Sequence, residues 1–258
     1  MKRYLTEKRP ISEETHLSNR SVSMSNVIVN AAQSLNLSEK RLVSIAMAKL
    51  DSLAKKAPAK PIKITAIEYA DCFGIDERTA YDQLKKGGEA LFDRKITRVD
   101  QTPTGEKPVK FRWVGLLAYQ KGEGYVEIRF SEDVVPYLVD LQKRFTTYKL
   151  EQTRALRSIH SWRLYENLKR WETTGKWIVE IDEFHRVMES SKSYQENFAQ
   201  LRKWVIEPAV KELREVNGLD IEWMPRKTGR KVTRLVFIFE PAAQMQMNLQ
   251  PAAPVVGS

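Results

Sequence analysis

The residue types able to do covalent or metal chemistry are present in this chain, but not at the spacings that chemistry needs. His16, His160 and His185 lie far apart in the sequence, and none has the short separation that sets two imidazoles on one metal ion. His160 and His185 therefore read as structural or surface residues. Cys72 is alone, which excludes a disulfide framework and a cysteine-based zinc site and suggests a core thiol in a reducing compartment. The segments TGEKP (104–108) and TGRK (228–231) look superficially like a phosphate-cradling loop. Both lack its first glycine and the hydroxyl residue after lysine, and both fit hairpin turns better. Metal-dependent nicking of DNA would call for two histidines separated by one apolar residue. Without them Tyr148, Tyr165 and Tyr194 gain no reading as nucleophiles. The expectation is no catalytic residue, no metal ligand and no cofactor: not an enzyme.

Cations carry the stronger signal. The chain has 258 residues and a formal net charge of +10, with a pI near 9.5, which favours a polyanionic partner over an acidic protein or a small metabolite. Arg226, Lys227, Arg230, Lys231 and Arg234 fall within ten residues that hold no acid. On a hairpin they would repel one another unless a polyanion neutralised them. Just before them, Ser193 to Leu213 reads as an amphipathic helix. Ser193 and Glu196 have the S-x-x-E capping spacing. Phe198, Leu201, Val205 and Ala209 mark a core face, and Asn197, Gln200, Arg202 and Lys203 form an opposite face able to bond base edges and phosphates. Pro208 should break the helix near its middle, leaving residues 193–206 for the groove.

The elements that must position these groups can be followed along the chain. Residues 1–25 are polar without periodicity and read as a mobile arm. A core helix starts near Ser38, with Leu42, Ile45, Ala46, Leu50 and Leu53 on one face. KKAPAKP (55–61) is a breaker-rich loop. Thr65 and Glu68 open a second helix that Gly74 stops, and Asp76 caps a third with Ala80, Leu84, Leu91 and Phe92 inward and Arg78, Lys85 and Lys86 outward. Gly87-Gly88 inside it suggests a bend. Strands over 96–99 and 109–117 then flank QTPTGEKP as a hairpin carrying Lys107, Lys110 and Arg112, and a third strand spans 125–130. Residues 131–141 read as a short helix capped by Ser131.

The second half repeats this order: a helix through Ile159, Trp162, Tyr165, Leu168 and Trp171, a strand at 177–179, a helix at 182–188, the segment above, and strands over 219–224 and 232–239. The displacement is roughly 115–120 residues, pointing to tandem copies of one module. Helix, helix, helix, hairpin is the order of a winged helix-turn-helix. The fold expected is α+β with two tandem winged-helix domains: an arm at 1–25, an N-terminal domain at 26–141, a C-terminal domain at 142–240 and a disordered, charge-free tail at 241–258. No run approaches the length of a membrane span and the N-terminus shows no signal-peptide apolar region, so a cytoplasmic protein with no membrane partner is expected.

Particular stretches also carry a resemblance. YLVDLQKRFTTYKLEQT (137–153), SWRLYENLKRW (161–171), SYQ at Ser193 and RKTGRKVTRLVFIFE (226–240) are similar to segments of the iteron-binding plasmid replication-initiator (Rep) proteins. LSEKRLVSIAMAKLD and EYADCFGID agree more loosely, and together the likeness spans about residues 30–240. It implies two winged-helix domains on double-stranded DNA, at tandem direct repeats of a replication origin and at the protein's own promoter. It also implies a monomer–dimer equilibrium, with dimers as autorepressors, and host replication initiator, helicase and chaperones as partners. The carry-over places a recognition helix at Ser193 to Lys203, Tyr194 included, and a wing at Arg226 to Arg234. A winged-helix transcriptional repressor without a replication role, and a nicking rolling-circle initiator, remain the alternatives.

Overall fold

A computed structural model describes residues 16–56, 58–119, 122–142 and 144–241; the expectations for residues 1–15 and for the tail beyond Pro241 lie outside them. The first module is built on α2 (Leu37–Ala48). Asn36 and Glu39 close a reciprocal capping box at its start, each accepting the other's backbone N–H at 3.0 Å. The helix is buried on nearly every side, but Leu53 lies past its end and is 78% exposed, not on the core face as expected. Strand β2 (Ile62–Thr65) leads into α3 (Ala66–Phe73), which has the Thr65–Glu68 capping box and ends on Gly74 at φ +58°. Asp76 caps α4 (Glu77–Leu91) by accepting the Thr79 N–H at 2.9 Å.

Helix α4 continues through its two glycines, and of the two only Gly88 is a point of close approach. A Cβ on Gly88 would stand 3.3 Å from Leu117 Cδ1, and one on Gly87 would stand 3.7 Å from the Ser38 backbone. Phe92, just past the helix, is 38% exposed and does not face inward.

After α4 the chain forms two hairpins in place of one. Strands β3 (Lys95–Thr102) and β4 (Gly105–Arg112) make a separate two-stranded sheet. Strands β5 (Val114–Tyr119) and β6 (Tyr125–Phe130) join β2 in the order β2-β6-β5. The strand expected over 109–117 is thus split. The cause is Trp113, wholly buried with its indole N–H on the Gln33 carbonyl at 3.0 Å, which anchors the chain where it changes sheets. Residues 131–141 hold a single 3-10 turn, Val135–Tyr137, instead of a helix. Ser131 does accept the Val134 N–H, but Pro136 removes the donor that a further turn would use.

Residues 16–25 are not a mobile arm. Strand β1 (Ser21–Ser25) pairs antiparallel with β7 (Phe145–Lys149), and the alternation of SVSMS buries Val22 and Met24 completely. This sheet, followed by the short α1 (Asn26–Val29), spans the division expected at residue 141.

The second module comprises α5 (Ile159–Arg170), β8 (Lys176–Glu180), α6 (Ile181–Met188), a helical segment from Lys192 to Asn217, β9 (Leu219–Thr228) and β10 (Lys231–Pro241). Its sheet has the order β8-β10-β9, the same arrangement as β2-β6-β5. Both modules set the strand that precedes the helix pair beside the last strand of the following hairpin, which makes them two winged-helix units of one plan. By this correspondence β5–β6 is the counterpart of β9–β10, and β3–β4, with Lys107 and Lys110, is an addition. Stacked Trp177 and Phe237 (centroids 5.3 Å apart), with Phe184, fill the second core.

The modules meet over buried polar groups. Lys40 on α2, fully buried, pairs with Glu166 on α5 at 2.7 Å; Glu166 also accepts the Tyr148 hydroxyl at 2.8 Å. Arg163 donates to the carbonyls of Leu35 and Met188 and pairs with Glu189 at 2.8 Å. The Glu189 carboxylate in turn accepts the backbone N–H groups of Gln33 and Ser34. Desolvation holds the Lys40 ammonium below its ordinary pKa, with Glu166 opposing that shift.

Candidate nucleic-acid interface

The helical segment after α6 is assembled differently from the helix expected, one capped by Ser193 and Glu196 and broken near Pro208. Ser191 and Ser193 hydroxyls bond each other at 2.9 Å, and a one-turn α7 (Lys192–Glu196) stops at Asn197, whose φ of −134° and ψ of 97° are extended. The Ser193–Glu196 capping box is absent; a second helix starts instead at Asn197, whose side chain accepts the Gln200 N–H at 3.2 Å. From there α8 (Phe198–Leu201), a π turn (Arg202–Ile206) and α9 (Glu207–Asn217) run without interruption. Pro208 does not break this helix. The Glu207 N–H reaches back five residues to the Arg202 carbonyl, so the widened turn falls where proline has no N–H to give and where its ring would meet a tighter ladder.

The core face is as expected at Leu201, Val205 and Ala209, with Ile206 added by the π turn, and Phe198 is half-buried. On the other side Asn197, Gln200, Arg202 and Lys203 are exposed. Their freedom differs. Asn197 has committed its amide oxygen to the cap. Arg202 pairs with Glu207 at 2.6 Å and lies over the Trp223 ring of β9. Lys203 stands over the exposed Trp204 ring, 4.8 Å from its centroid, with no acidic partner among the described residues. Ser193 is exposed and Tyr194 half-buried.

Beside this helix the β9–β10 strands continue almost to the tip, where Gly229 at φ +60° makes the turn. Arg226, Lys227, Arg230 and Lys231 are exposed and form no ion pair among the described residues; Arg234 is tied to Glu180. A groove of about 690 Å³ separates hairpin from helix, walled by Asp182, His185 and Arg186 of α6, by Gln195, and by Lys227, Arg230 and Lys231. Its cations outnumber its acids.

In the first module Arg78 and Lys86 are exposed on α4, while Lys85 is half-buried over the Tyr119 ring. Lys107 and Lys110 are exposed on the additional hairpin, which is fastened to the body by Phe111 stacked on Tyr137 at 5.8 Å and by Arg98 on the Tyr137 hydroxyl. The structure gathers Lys227, Arg230 and Lys231 on the groove beside α6 and Gln195, and sets Arg226 and Arg234 on a second groove with Lys176 and Glu180; the residues of the first module are divided between α4 and the separate hairpin. Among the described residues no group of three or more His, Cys, Asp or Glu side chains could hold a metal ion, and no helix is long and apolar enough to cross a membrane.

Comparison with known proteins matches residues 21–169 to the family described as "Initiator Replication protein, WH1" and residues 180–239 to "Initiator Rep protein, WH2". A "Replication initiation protein" of Escherichia coli is 28% identical over 238 residues, covering 87% of this chain and 73% of that protein. The "PI protein" of Escherichia coli is 25% identical over 236 residues, with coverages of 80% and 77%. Among solved structures, the Pi initiator protein in complex with iteron DNA superposes with a TM-score of 0.73 at 23% identity. It covers 86% of this chain and 97% of that one, and shows the same fold.

Proposed function

The chain belongs to the initiator replication protein family through both its WH1 and WH2 regions, and from that membership we propose that it initiates plasmid replication by binding tandem direct repeats, the iterons, of double-stranded origin DNA. The observation that carries this reading is the group of four cations on the β9–β10 hairpin that form no ion pair among the described residues, on the same module as an exposed polar helix face. Lys and Arg there, with Lys203, displace counterions and set affinity, while Gln200 faces base edges and Asn197 keeps its amide NH₂ for them. Two modules on one chain reach successive major grooves about 34 Å apart.

The same reading has the protein act by binding and not by catalysis, in the cytoplasm. Strain in the repeat-rich DNA promotes local opening, host initiator, helicase and chaperones are recruited, and a dimeric form represses its own promoter. The Pi initiator, crystallised with iteron DNA, supports the choice of target. Footprinting of the purified protein on DNA flanking its own gene, at two salt concentrations, tests it. Evenly spaced protection across several direct repeats is expected. A single protected inverted repeat would indicate a repressor, and protection erased by salt would leave only non-specific coating. Relaxation of supercoiled origin DNA in the presence of a divalent metal would overturn the non-catalytic assignment.

A further inference from the structure

Between Asn197 and Glu207 the exposed helix face is polar except for one large side chain. Trp204 is 55% exposed, whereas its neighbours Val205 and Ile206 are 1% and 0% exposed. The π turn produces this contrast: by placing two consecutive residues in the core it leaves the residue before them on the outside. The indole is not part of the core. Arg202, two residues earlier, leans the other way over Trp223, and Lys203 stands against Trp204 itself. An exposed indole with an ammonium at its ring fits a surface that offers an apolar group next to negative charge. The major-groove edge of an A·T pair does so, with the thymine 5-methyl flanked by backbone phosphates.

We propose that Trp204 is a sequence-reading residue whose indole packs on a thymine 5-methyl group in the major groove, while Lys203 takes the adjoining phosphate. This rests on the DNA-binding reading above and adds to it a base-specific apolar contact beside the polar face.

The test uses the full chain and a duplex bearing the footprinted repeat, with each thymine replaced singly by uracil, which removes only the methyl. For the unsubstituted protein, uracil at one position should weaken binding about fourfold, the effect of one methyl group. Trp204→Ala should bind the thymine duplex about tenfold more weakly or worse and be indifferent to that uracil. Trp204→Phe should keep part of the sensitivity. Trp204 is the most exposed of the six tryptophans among those the structure describes, so iodide quenching of fluorescence should fall sharply when the repeat is bound. Insensitivity to uracil at every position, equal sensitivity in Trp204→Ala, or quenching unchanged by DNA would each overturn the assignment. If the unsubstituted protein does not prefer the repeat to a random duplex, the DNA reading itself fails and this inference with it. If it does prefer it and Trp204→Ala binds as tightly, the Trp204 assignment alone fails.

Discussion

His160 and His185 belong to no group of three or more metal-binding side chains among the described residues, and their burial has a consequence that can be measured. Desolvation is the first cause that holds both imidazoles below the usual pKa of 6.5, and nearby Arg163 depresses His160 further. The Met188 backbone opposes the shift at His160, as Asp182 does at His185. A base whose pKa is lowered by folding binds fewer protons folded than unfolded. Its cost is absent above 6.5 and grows as pH falls through 6.5 towards the lower folded value. Thermal melts should therefore show the protein losing stability from pH 7.5 to 5.5, and His160→Gln should flatten that slope. An unchanged slope in the variant would remove His160 as a source. At this scale the sequence was only partly legible. The lone cysteine, buried with its thiol pushed up to about 12, follows from its count. The exposure of Trp204 left no signal in spacing, because three residues after Leu201 an ordinary helix would turn it to the core and only the π turn sets it outside. Glu189, left-handed at φ +49° and joined to Gln33 and Ser34, left none, because its partners lie over 150 residues away.

Among the elements, α4 separates two roles of glycine that a helix pattern cannot distinguish. A Cβ on Gly87 would meet only ordinary contacts at 3.7 Å, whereas one on Gly88 would press on Leu117 at 3.3 Å and Val126 at 3.4 Å. Gly87→Ala should thus stabilise the protein by roughly 0.5–1 kcal/mol through helix propensity and a restricted unfolded chain. Gly88→Ala should gain clearly less or turn destabilising, because the β5–β6 sheet must shift. Denaturant midpoints of the two variants decide this, and equal gains would show that Gly88 is not a packing contact. Capping boxes, helix stops and alternating strands were readable here because they are local: Thr65–Glu68, Gly74 and Asp76 act within a few residues. The additional β3–β4 hairpin and the β1–β7 pairing were not, since which strands share a sheet depends on contacts such as Ser21 with Lys149. The helix at Pro208 shows the same limit. Proline predicts a break, and only the tertiary fit of Val205 and Ile206 explains why a π turn absorbs it.

Over the whole molecule, the way the two winged-helix units are joined decides whether, on the function proposed above, they can address neighbouring grooves together. The junction relies on directional polar contacts in a dry interior: Lys40 with Glu166, Tyr148 on Glu166, and Arg163 between Leu35, Met188 and Glu189. Apolar packing tolerates sliding, but a buried ammonium–carboxylate pair does not, because displacing either ion leaves the other uncompensated. Glu166→Gln, which keeps an acceptor for the Tyr148 hydroxyl, should therefore cost about 3–5 kcal/mol in chemical denaturation by stranding the Lys40 charge. Lys40→Met in the same chain removes that charge and should restore most of the loss. A double-mutant cycle with these variants measures the coupling directly. A single-variant cost below about 1 kcal/mol would mean that the pair is no more than a surface-like contact, and that the geometry between the modules is set by the apolar core around it.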